Sequence, residues 1–420
     1  MSDQRPAENP PNPVRRKRAS RWAVALVVAL VVAVGLATAG ILQHDGATTT
    51  EPDPDSPTSP AAPTAIGKPG TLLRTDPVKV GAFSGVKAWR ITYATTRDQG
   101  EPAIATALVV TSSKGPDAPR PVIAWAHGTT GIATDCAPSL LGPQYAAYSI
   151  PGYATLISEG AVIVATDYIG LGTPGPSPYL IGQGEGRSVL DSVRAVQHLK
   201  GVEVADRTVV WGHSQGGGAA LWSGILAPTY APDAHVIGVA GIAPASDLIG
   251  LVDNLRHSSA NAAIESYVLS AYADAYPDVD FDSYVRPEAR AVLREMAGHC
   301  LGEYQKIQEL TQELPADGSY FARDPSTGPL AERLAENVPD AAISAPVFIG
   351  QGAADVLVLP SVQAAYVARR CALGTGGALE FRTYPGKGHT DVIAAASPLV
   401  PDLLAWTTDR FAGRPATSTC

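Results

Sequence analysis

A sharp turn between a strand and a helix is the feature that most constrains this chain. Residues 209–220 read Val-Val-Trp-Gly-His-Ser-Gln-Gly-Gly-Gly-Ala-Ala, and residues 212–216 match the pattern G-x-S-x-G. Only glycine fits on either side of the serine in such a turn, so the hydroxyl of Ser214 is pushed out of the sheet. The N–H groups at the start of the following helix face the same point and can stabilise an oxyanion there. The sequence therefore predicts Ser214 as a catalytic nucleophile, with a plain glycine-rich turn as the alternative.

A serine nucleophile needs a histidine base, and the chain order that goes with this turn is serine, acid, histidine. The histidines that follow the serine are His235, His257, His299 and His389. His389 lies in the glycine-rich loop 384–390, directly after the predicted strand 378–383. His235 precedes a strand, and the other two lie in a helix-rich stretch. We therefore predict that His389 is the base; its alternative is an ordinary loop residue.

The acid of this system is expected in the loop after the preceding strand. Asp355 follows the short apolar strand 346–350, and the distance to His389 leaves room for one helix and one strand. Asp391 is too close in sequence to His389 to reach its far nitrogen, and Asp340 precedes the strand. Asp355 is thus predicted to orient His389, with a helix N-cap as its alternative role.

Two backbone N–H groups are needed to stabilise the oxyanion. One is expected from Gln215, the residue after the nucleophile, and the other from the loop after the third strand. That strand is predicted at 121–126 and continues into His-Gly-Thr-Thr-Gly. We predict Thr129 as the second donor, with Gly128 as the alternative. His127 is expected to hold the loop through its ring rather than to act as a second base.

These motifs resemble those of α/β-hydrolases and, more narrowly, of the secretory lipase family of fungi and actinobacteria. The segments that carry the resemblance are 127–131, 135–139 (Asp-Cys-Ala-Pro-Ser), 167–172, 212–216, 351–355 and 388–389. The likeness covers residues 72 to 412 and is most specific at 135–139. It implies lipase or carboxylesterase activity, a helical cap and disulfides. Fungal members carry Tyr-type residues before the serine, where this chain has His213.

The N-terminal part of the chain predicts export. Residues 1–21 contain the basic block 15–18, and residues 22–42 carry no charge and are long enough to span a bilayer as a helix. The basic residues place the N-terminus in the cytoplasm and the remainder outside. Residues 37–39 (Ala-Thr-Ala) match a cleavage site, so a signal peptide is the alternative to a signal anchor. The Pro/Thr-rich residues 43–70 are predicted to be a linker.

All four cysteines lie in the exported part of the chain, which predicts two disulfides. Their spacing suits no zinc site. The sequence alone allows three pairings. The family resemblance implies that Cys136 pairs with Cys300 and that Cys371 pairs with Cys420.

Residues 71–420 alternate between short apolar runs and helical patterns, which predicts an α/β domain with a mostly parallel sheet and helices on both faces. Residues 88–96 and 103–111 predict an exposed antiparallel hairpin. The alternation stops at 246–345, which predicts a helical cap insertion. Aromatic residues of this insertion form either its core or a wall of an acyl pocket: Tyr267, Tyr272, Tyr276, Phe281 and Tyr284.

Charge and motifs together favour one function. Asp and Glu total 40 against 31 Lys and Arg, which argues against a nucleic-acid partner. We expect an exported, monomeric serine hydrolase that cleaves small-molecule or lipid esters, contacts the membrane through residues 22–42 and needs no metal or organic cofactor. A serine peptidase or amidase on the same triad and a catalytically silent surface-binding protein remain the alternatives.

Export of the domain can be tested in intact cells. Protease added outside should cut within residues 43–70 and release the domain if residues 22–42 remain as an anchor, because the linker is then exposed. A mature N-terminus near Gly40, determined by sequencing, would identify cleavage instead. A domain that is protected in intact cells lacking an outer membrane would contradict both versions.

Overall fold

A single nine-stranded sheet organises the part of the chain that the structure describes. The computed structural model describes residues 66–81, 85–114, 118–374 and 376–420. The sheet has the order β1-β2-β3-β5-β4-β6-β7-β8-β9. Strands β1, β2, β3 and β5 pair antiparallel, and every pair from β5–β4 onward to β8–β9 is parallel. The strands are β1 (Leu72–Pro77), β2 (Val86–Thr96), β3 (Pro102–Ser112), β4 (Arg120–Ala126), β5 (Val162–Ile169), β6 (Val204–His213), β7 (Val236–Ile242), β8 (Val347–Gly352) and β9 (Leu379–Tyr384).

Helices cover both faces of the sheet, and six of them form an insertion. Those outside the insertion are α1 (Gly142–Ser149), α2 (Tyr153–Ser158), α3 (Gly182–Val196), α4 (Gln215–Tyr230), α11 (Pro360–Leu373) and α12 (Leu399–Phe411). Those between β7 and β8 are α5 (Leu248–Leu255), α6 (Ala262–Ala275), α7 (Phe281–Tyr284), α8 (Arg290–Ala297), α9 (Tyr304–Gln312) and α10 (Gly328–Glu336). A parallel sheet with helices on both faces is therefore confirmed as the architecture.

The first strands differ from the sequence prediction in two ways. The hairpin β2–β3 is antiparallel as expected, but its residues are mostly buried rather than exposed. The physical reason is that β3 pairs with β5 inside the sheet while α3 packs against β2. Strand β1 was not predicted, because its sequence does not alternate. As a result, the strand at 121–126 is the fourth along the chain and not the third.

Of the predicted N-terminal segments, only the end of the linker lies within the described residues. Gly70, expected to be the last linker residue, is buried and donates its N–H to the carbonyl of Ala94. The predicted membrane segment 22–42 lies outside the described residues. Among the helices that are described, none combines the length and the apolar character needed to cross a bilayer.

The insertion between β7 and β8 has a hydrophobic core of its own. Four of the five aromatic residues expected there are buried in it, and Tyr276 packs against it partly buried. This favours the cap-core role of the aromatic residues over a pocket wall. The same cluster includes Tyr179, Leu180 and Ile181 from the connection between β5 and α3. The core of the insertion is therefore continuous with a loop of the main domain.

The C-terminal tail covers the edge strand β9. Thr419 donates its backbone N–H to the carbonyl of Leu379 at 2.8 Å, and its hydroxyl accepts from the N–H of Phe381 at 3.0 Å. A disulfide joins Cys371 on α11 to Cys420. An open edge strand is a template for aggregation, and a bound tail protects it.

Removing the Cys371–Cys420 disulfide should lower the free energy of unfolding. The disulfide closes a segment with a sequence separation of 49 residues, which the chain-entropy model values at about 4 kcal/mol. Cys371→Ser with Cys420→Ser should therefore lower the free energy of unfolding by up to that amount, as measured by urea denaturation. Far-ultraviolet circular dichroism serves as the control for an intact fold. An unchanged midpoint would contradict a stabilising role.

Candidate active site

The turn after β6 is held by direct backbone contact between three elements. A Cβ on Gly212 would lie 1.9 Å from the carbonyl oxygen of Gly216, and a Cβ on Gly216 would lie 2.0 Å from that of Ala126. Side chains at either position are thus excluded. Between them Ser214 adopts φ 58° and ψ −120°, a conformation that costs a non-glycine residue about 1–3 kcal/mol. The close packing of β4, β6 and α4 imposes this conformation on the serine.

The structure brings Ser214, His389 and Asp355 together from three separate loops. His389 Nε2 lies 2.8 Å from Ser214 Oγ, and His389 Nδ1 lies 2.8 Å from Asp355 Oδ2. Ser214 directly precedes α4, Asp355 follows β8 and His389 follows β9. The Asp355 side chain is fully buried and that of His389 is 13% exposed. One imidazole ring therefore bridges a hydroxyl and a carboxylate.

The carboxylate of Asp355 is held in its charged form. Its Oδ1 accepts the N–H groups of Leu357 and Val358, each at 2.9 Å, and its Oδ2 accepts from Gln351 Nε2 at 3.1 Å. Burial by itself raises the pKa of Asp355, but His389 and these donors outweigh it, so the pKa is lowered overall. An ionised Asp355 keeps the N–H of the His389 ring on Nδ1.

The other residues considered from the sequence lie elsewhere. His235 pairs with a surface aspartate, and His299 pairs with a glutamate of the insertion. Among the hydrogen bonds of the described residues, none joins Asp391 or Asp340 to His389. The described ranges also contain no group of three His, Cys, Asp or Glu residues that could hold a metal ion.

The loop after β4 runs beside the serine. A Cβ on Gly128 would lie 3.6 Å from Ser214 Cβ and 3.3 Å from the His213 carbonyl oxygen. Within the described part of the chain, no hydrogen bond is donated by the backbone N–H of Gly128, Thr129 or Gln215. All three N–H groups are therefore free to bind a ligand oxygen.

His127 supports this loop, as expected from the sequence. Its Nδ1 lies 2.7 Å from the Gly128 carbonyl oxygen and its Nε2 lies 3.3 Å from that of Asp167. Burial lowers the pKa of His127 to about 4, so the ring is neutral at pH 7. The Tyr168 hydroxyl donates to the carbonyl of His127. The neutral ring carries one N–H and donates it to one of these two carbonyls, and this bond together with that of Tyr168 fixes the start of the loop.

His213 contributes to the site in a way the sequence did not reveal. Its Nε2 lies 2.8 Å from the carbonyl oxygen of His389, and the two rings are 4.8 Å apart. Burial and the nearby His389 lower the pKa of His213 to about 3. The neutral ring donates to the carbonyl and fixes the loop that carries His389. In the sequence, only the position of His213 directly before Ser214 could have indicated this role.

A disulfide and a backbone hydrogen bond tie the loop after β4 to the insertion. Cys136 and Cys300 form the bond, which is the pairing that the family resemblance implied. A Cβ on Gly131 would lie 2.7 Å from Cys136 Sγ. The N–H of Leu301 donates to the carbonyl of Thr130 at 2.8 Å. Movement of the insertion at this point would therefore move the loop.

A second tie runs through aromatic side chains. The hydroxyls of Thr129 and Tyr179 are 2.8 Å apart. The ring of Tyr179 meets that of Tyr267 edge to face at 5.9 Å, and the Tyr267 hydroxyl donates to the carbonyl of His299. The side chain of Thr129 is thus linked to helix α6 of the insertion.

Fold and site together define an α/β-hydrolase with a helical insertion between β7 and β8. Two solved structures support this fold. Candida antarctica lipase A in its closed state has a TM-score of 0.68 and 20% identity, over 84% of both chains. The rice cell wall degrading esterase LipA of Xanthomonas oryzae has a TM-score of 0.64 and 19% identity, over 82% of this chain and 97% of its own.

Sequence comparison defines the family within this class. The family model for secretory lipases matches residues 144–419, and the chain belongs to that family. Lipase 6 of Candida albicans is 27% identical, over 84% of this chain and 80% of its own. A Mycobacterium tuberculosis protein named as a probable inactive lipase is 26% identical, over 83% of this chain and 80% of its own. The resemblance predicted from the motifs is confirmed, as is the class of carboxylic ester hydrolase.

Loss of the Cys136–Cys300 disulfide should change the selectivity of hydrolysis. Replacing both residues by Ser frees the cap from the loop that carries Thr129. The value of kcat/KM on long-chain esters should fall by about tenfold or more, while that on acetate esters should fall less, because only long chains need the cap. The measurement is a panel of p-nitrophenyl esters from acetate to palmitate.

The Cys371→Ser, Cys420→Ser variant is the matched control for this experiment. It also lacks one disulfide, but that disulfide joins α11 to the C-terminal tail and lies outside the insertion. Its chain-length preference should equal that of the wild type. An equal loss on all chain lengths in the Cys136, Cys300 variant would show that the cap does not select for long chains.

Proposed function

We propose that the chain is a serine esterase that cleaves carboxylic esters through an acyl-enzyme, with Ser214, His389 and Asp355 as its catalytic triad. The observation that supports this most directly is the pair of 2.8 Å contacts that His389 makes with Ser214 and Asp355. This is the nucleophile, base and orienting acid of the serine triad. Family membership supports the ester as the bond that is cleaved.

In this mechanism Ser214 Oγ attacks the ester carbonyl while His389 Nε2 takes the hydroxyl proton. His389 returns the proton to the leaving alcohol, and the acyl group stays on Ser214 as an ester. Water then attacks this acyl-enzyme, again with His389 as the base, and the acid is released. The negative charge of Asp355 stabilises the imidazolium form of His389 in both steps.

The oxyanion of each tetrahedral intermediate is stabilised by the N–H groups of Gln215 and Thr129, with Gly128 as the alternative to Thr129. Gln215 begins α4, so its N–H is also at the positive end of a helix. Removing one such donor in serine proteases costs a factor of about 10²–10³ in kcat. The loop contacts at His127 and Thr130 hold the second donor beside Ser214.

The substrate class proposed is lipid ester, acted on outside the cytoplasm. Relatives that match 84% of this chain include two secreted triacylglycerol lipases of Malassezia globosa. Two disulfides fit an extracellular protein. Export would use residues 22–42, either as a membrane anchor or as a cleaved signal peptide.

A catalytically silent hydrolase fold is the second candidate, because the mycobacterial relative is named as inactive. A fluorophosphonate probe distinguishes the two, since it labels only an activated serine. Covalent labelling of Ser214 supports the esterase, whereas an unlabelled, folded protein supports the silent form. Aminoacyl anilides included beside the esters would identify an amidase.

Variants of the triad test the mechanism. Ser214→Ala and His389→Ala should each lower kcat by at least ~10³ on a p-nitrophenyl butyrate assay, because triad members act as a unit. Asp355→Asn should lower kcat by a somewhat smaller factor than these two substitutions. Asp391→Asn is the matched control near the same loop and should stay within about twofold of the wild type. Near-normal turnover by Ser214→Ala would disprove the mechanism.

A further inference from the structure

A buried carboxyl group lies directly behind the nucleophile turn and has no role in the triad. Glu185 is 2% exposed and lies in the first turn of α3. Its Oε1 accepts a hydrogen bond from Gln215 Nε2 at 2.6 Å and a second one from the backbone N–H of Leu180 at 2.9 Å. The backbone N–H of Gln215 is one of the two proposed oxyanion donors.

Gln215 depends on this carboxyl group for its side-chain position. Its amide oxygen is buried and has no hydrogen-bond partner among the described residues, and its amide nitrogen donates only to Glu185. Gln215 itself is 2% exposed. The bond to Glu185 therefore anchors the residue that follows the nucleophile.

Close helix packing fixes the distance between these two residues. A Cβ on Gly186 would lie 3.1 Å from the backbone N of Ser223 on α4, and one on Gly182 would lie 1.9 Å from Trp222 Nε1. The first turn of α3 therefore lies directly against α4. On the other side, Leu180 accepts a hydrogen bond on its carbonyl from Tyr272 of the cap. Glu185 is thus held from both sides.

Burial favours the uncharged form of Glu185 and outweighs its two hydrogen-bond donors, which favour the charged form. Both donors converge on Oε1, which leaves Oε2 to carry a proton. An ionised carboxylate at this place would lie behind the point where negative charge develops in the reaction, and low-dielectric surroundings strengthen such repulsion. A neutral acid accepts the same two bonds without that repulsion.

We propose that Glu185 is a positioning residue that orients Gln215 in the oxyanion hole and does so as a neutral acid, so that its ionisation slows the reaction. This rests on the proposed function, because it takes the Gln215 N–H as an oxyanion donor. Glu185 touches neither substrate nor reacting atoms and acts only through Gln215.

Of Glu185 and the ionisable groups that face it, Glu185 is the one that changes its charge near pH 8. Burial raises the pKa of Glu185 to about 8, against the lowering effect of Gln215 and Leu180. The titratable groups facing it are Asp98 from the β2–β3 turn, Tyr168 of β5, Tyr179 of the β5–α3 connection and Tyr272 of the cap. Burial raises the pKa of Asp98 to about 6 and raises those of the three tyrosines above 10. Between pH 7 and 9 Asp98 stays charged and the tyrosines stay neutral.

The test compares the pH dependence of kcat in three proteins, using pH-stat hydrolysis of a soluble butyrate ester by the full chain. The wild type should lose activity as pH rises through about 8, by at least ~fivefold between pH 7 and 9.5. Glu185→Gln accepts the same hydrogen bonds and cannot ionise, so its kcat should stay level over this range. Glu265→Gln is the matched control: Glu265 is also buried, its pKa is also raised by burial to about 8, and it pairs with Tyr320 in the cap. It should lose activity as the wild type does.

Glu185→Ala tests the positioning. Its kcat at pH 7 should fall by about 10–100-fold with KM within about twofold, and inhibition by an alkyl boronic acid, whose tetrahedral adduct places an oxygen in the oxyanion hole, should weaken by a similar factor. Rescue by Glu185→Gln separates this from a packing defect, and the pH profile of Glu185→Gln suffices if the alanine variant does not fold.

Two results would overturn the inference. One is an alkaline loss in Glu185→Gln equal to that of the wild type, and the other is a loss abolished equally by Glu265→Gln. Ser214→Ala separates this failure from failure of the proposed function. If Ser214→Ala is active, the proposed mechanism is wrong. If Ser214→Ala is inactive and Glu185→Gln has the same pH profile as the wild type, only the proposed role of Glu185 is wrong.

Discussion

Backbone contact at two glycines is the constraint on which the site depends. Because Gly212 touches Gly216 and Gly216 touches Ala126, three elements meet without side chains between them. This contact forces Ser214 into its unusual conformation and brings the start of α4 next to the loop after β4. The close contact at these two glycines thus brings together the hydroxyl of Ser214, the N–H groups at the start of α4 and the loop after β4.

Burial leaves one of the ionisable groups near Ser214 charged and keeps others neutral. Asp355 stays ionised because donors from its own loop and His389 outweigh the effect of burial on its pKa. For His127, His213 and Glu185 burial is the largest effect on the pKa, and it keeps all three neutral at pH 7. One fixed negative charge therefore faces the imidazole, and these neutral groups lie around the proposed oxyanion site. That arrangement favours charge separation in the transition state.

The sequence predicted those parts of the molecule that local patterns encode. The turn at Ser214, the strands around it and the loops of Asp355 and His389 follow from short motifs and from the order of elements. Glu185 could not be found in this way, since a carboxyl group in the first turn of a helix normally reads as a favourable charge near its N-terminus. The burial of the hairpin β2–β3 also escaped prediction, because it depends on β5 and α3, which pack there only in the folded chain.

The insertion and the loop after β4 are joined at the end of the insertion that carries Cys300. The disulfide to Cys136 and the bond from Leu301 to Thr130 join the two directly, and Tyr179 of the β5–α3 connection links Thr129 to Tyr267 of the insertion. A cap motion that displaced Cys300 would carry the loop after β4 with it and separate the proposed donor of that loop, Thr129 or Gly128, from Ser214. Any motion of the insertion that leaves this geometry intact must therefore take place at a distance from Cys300.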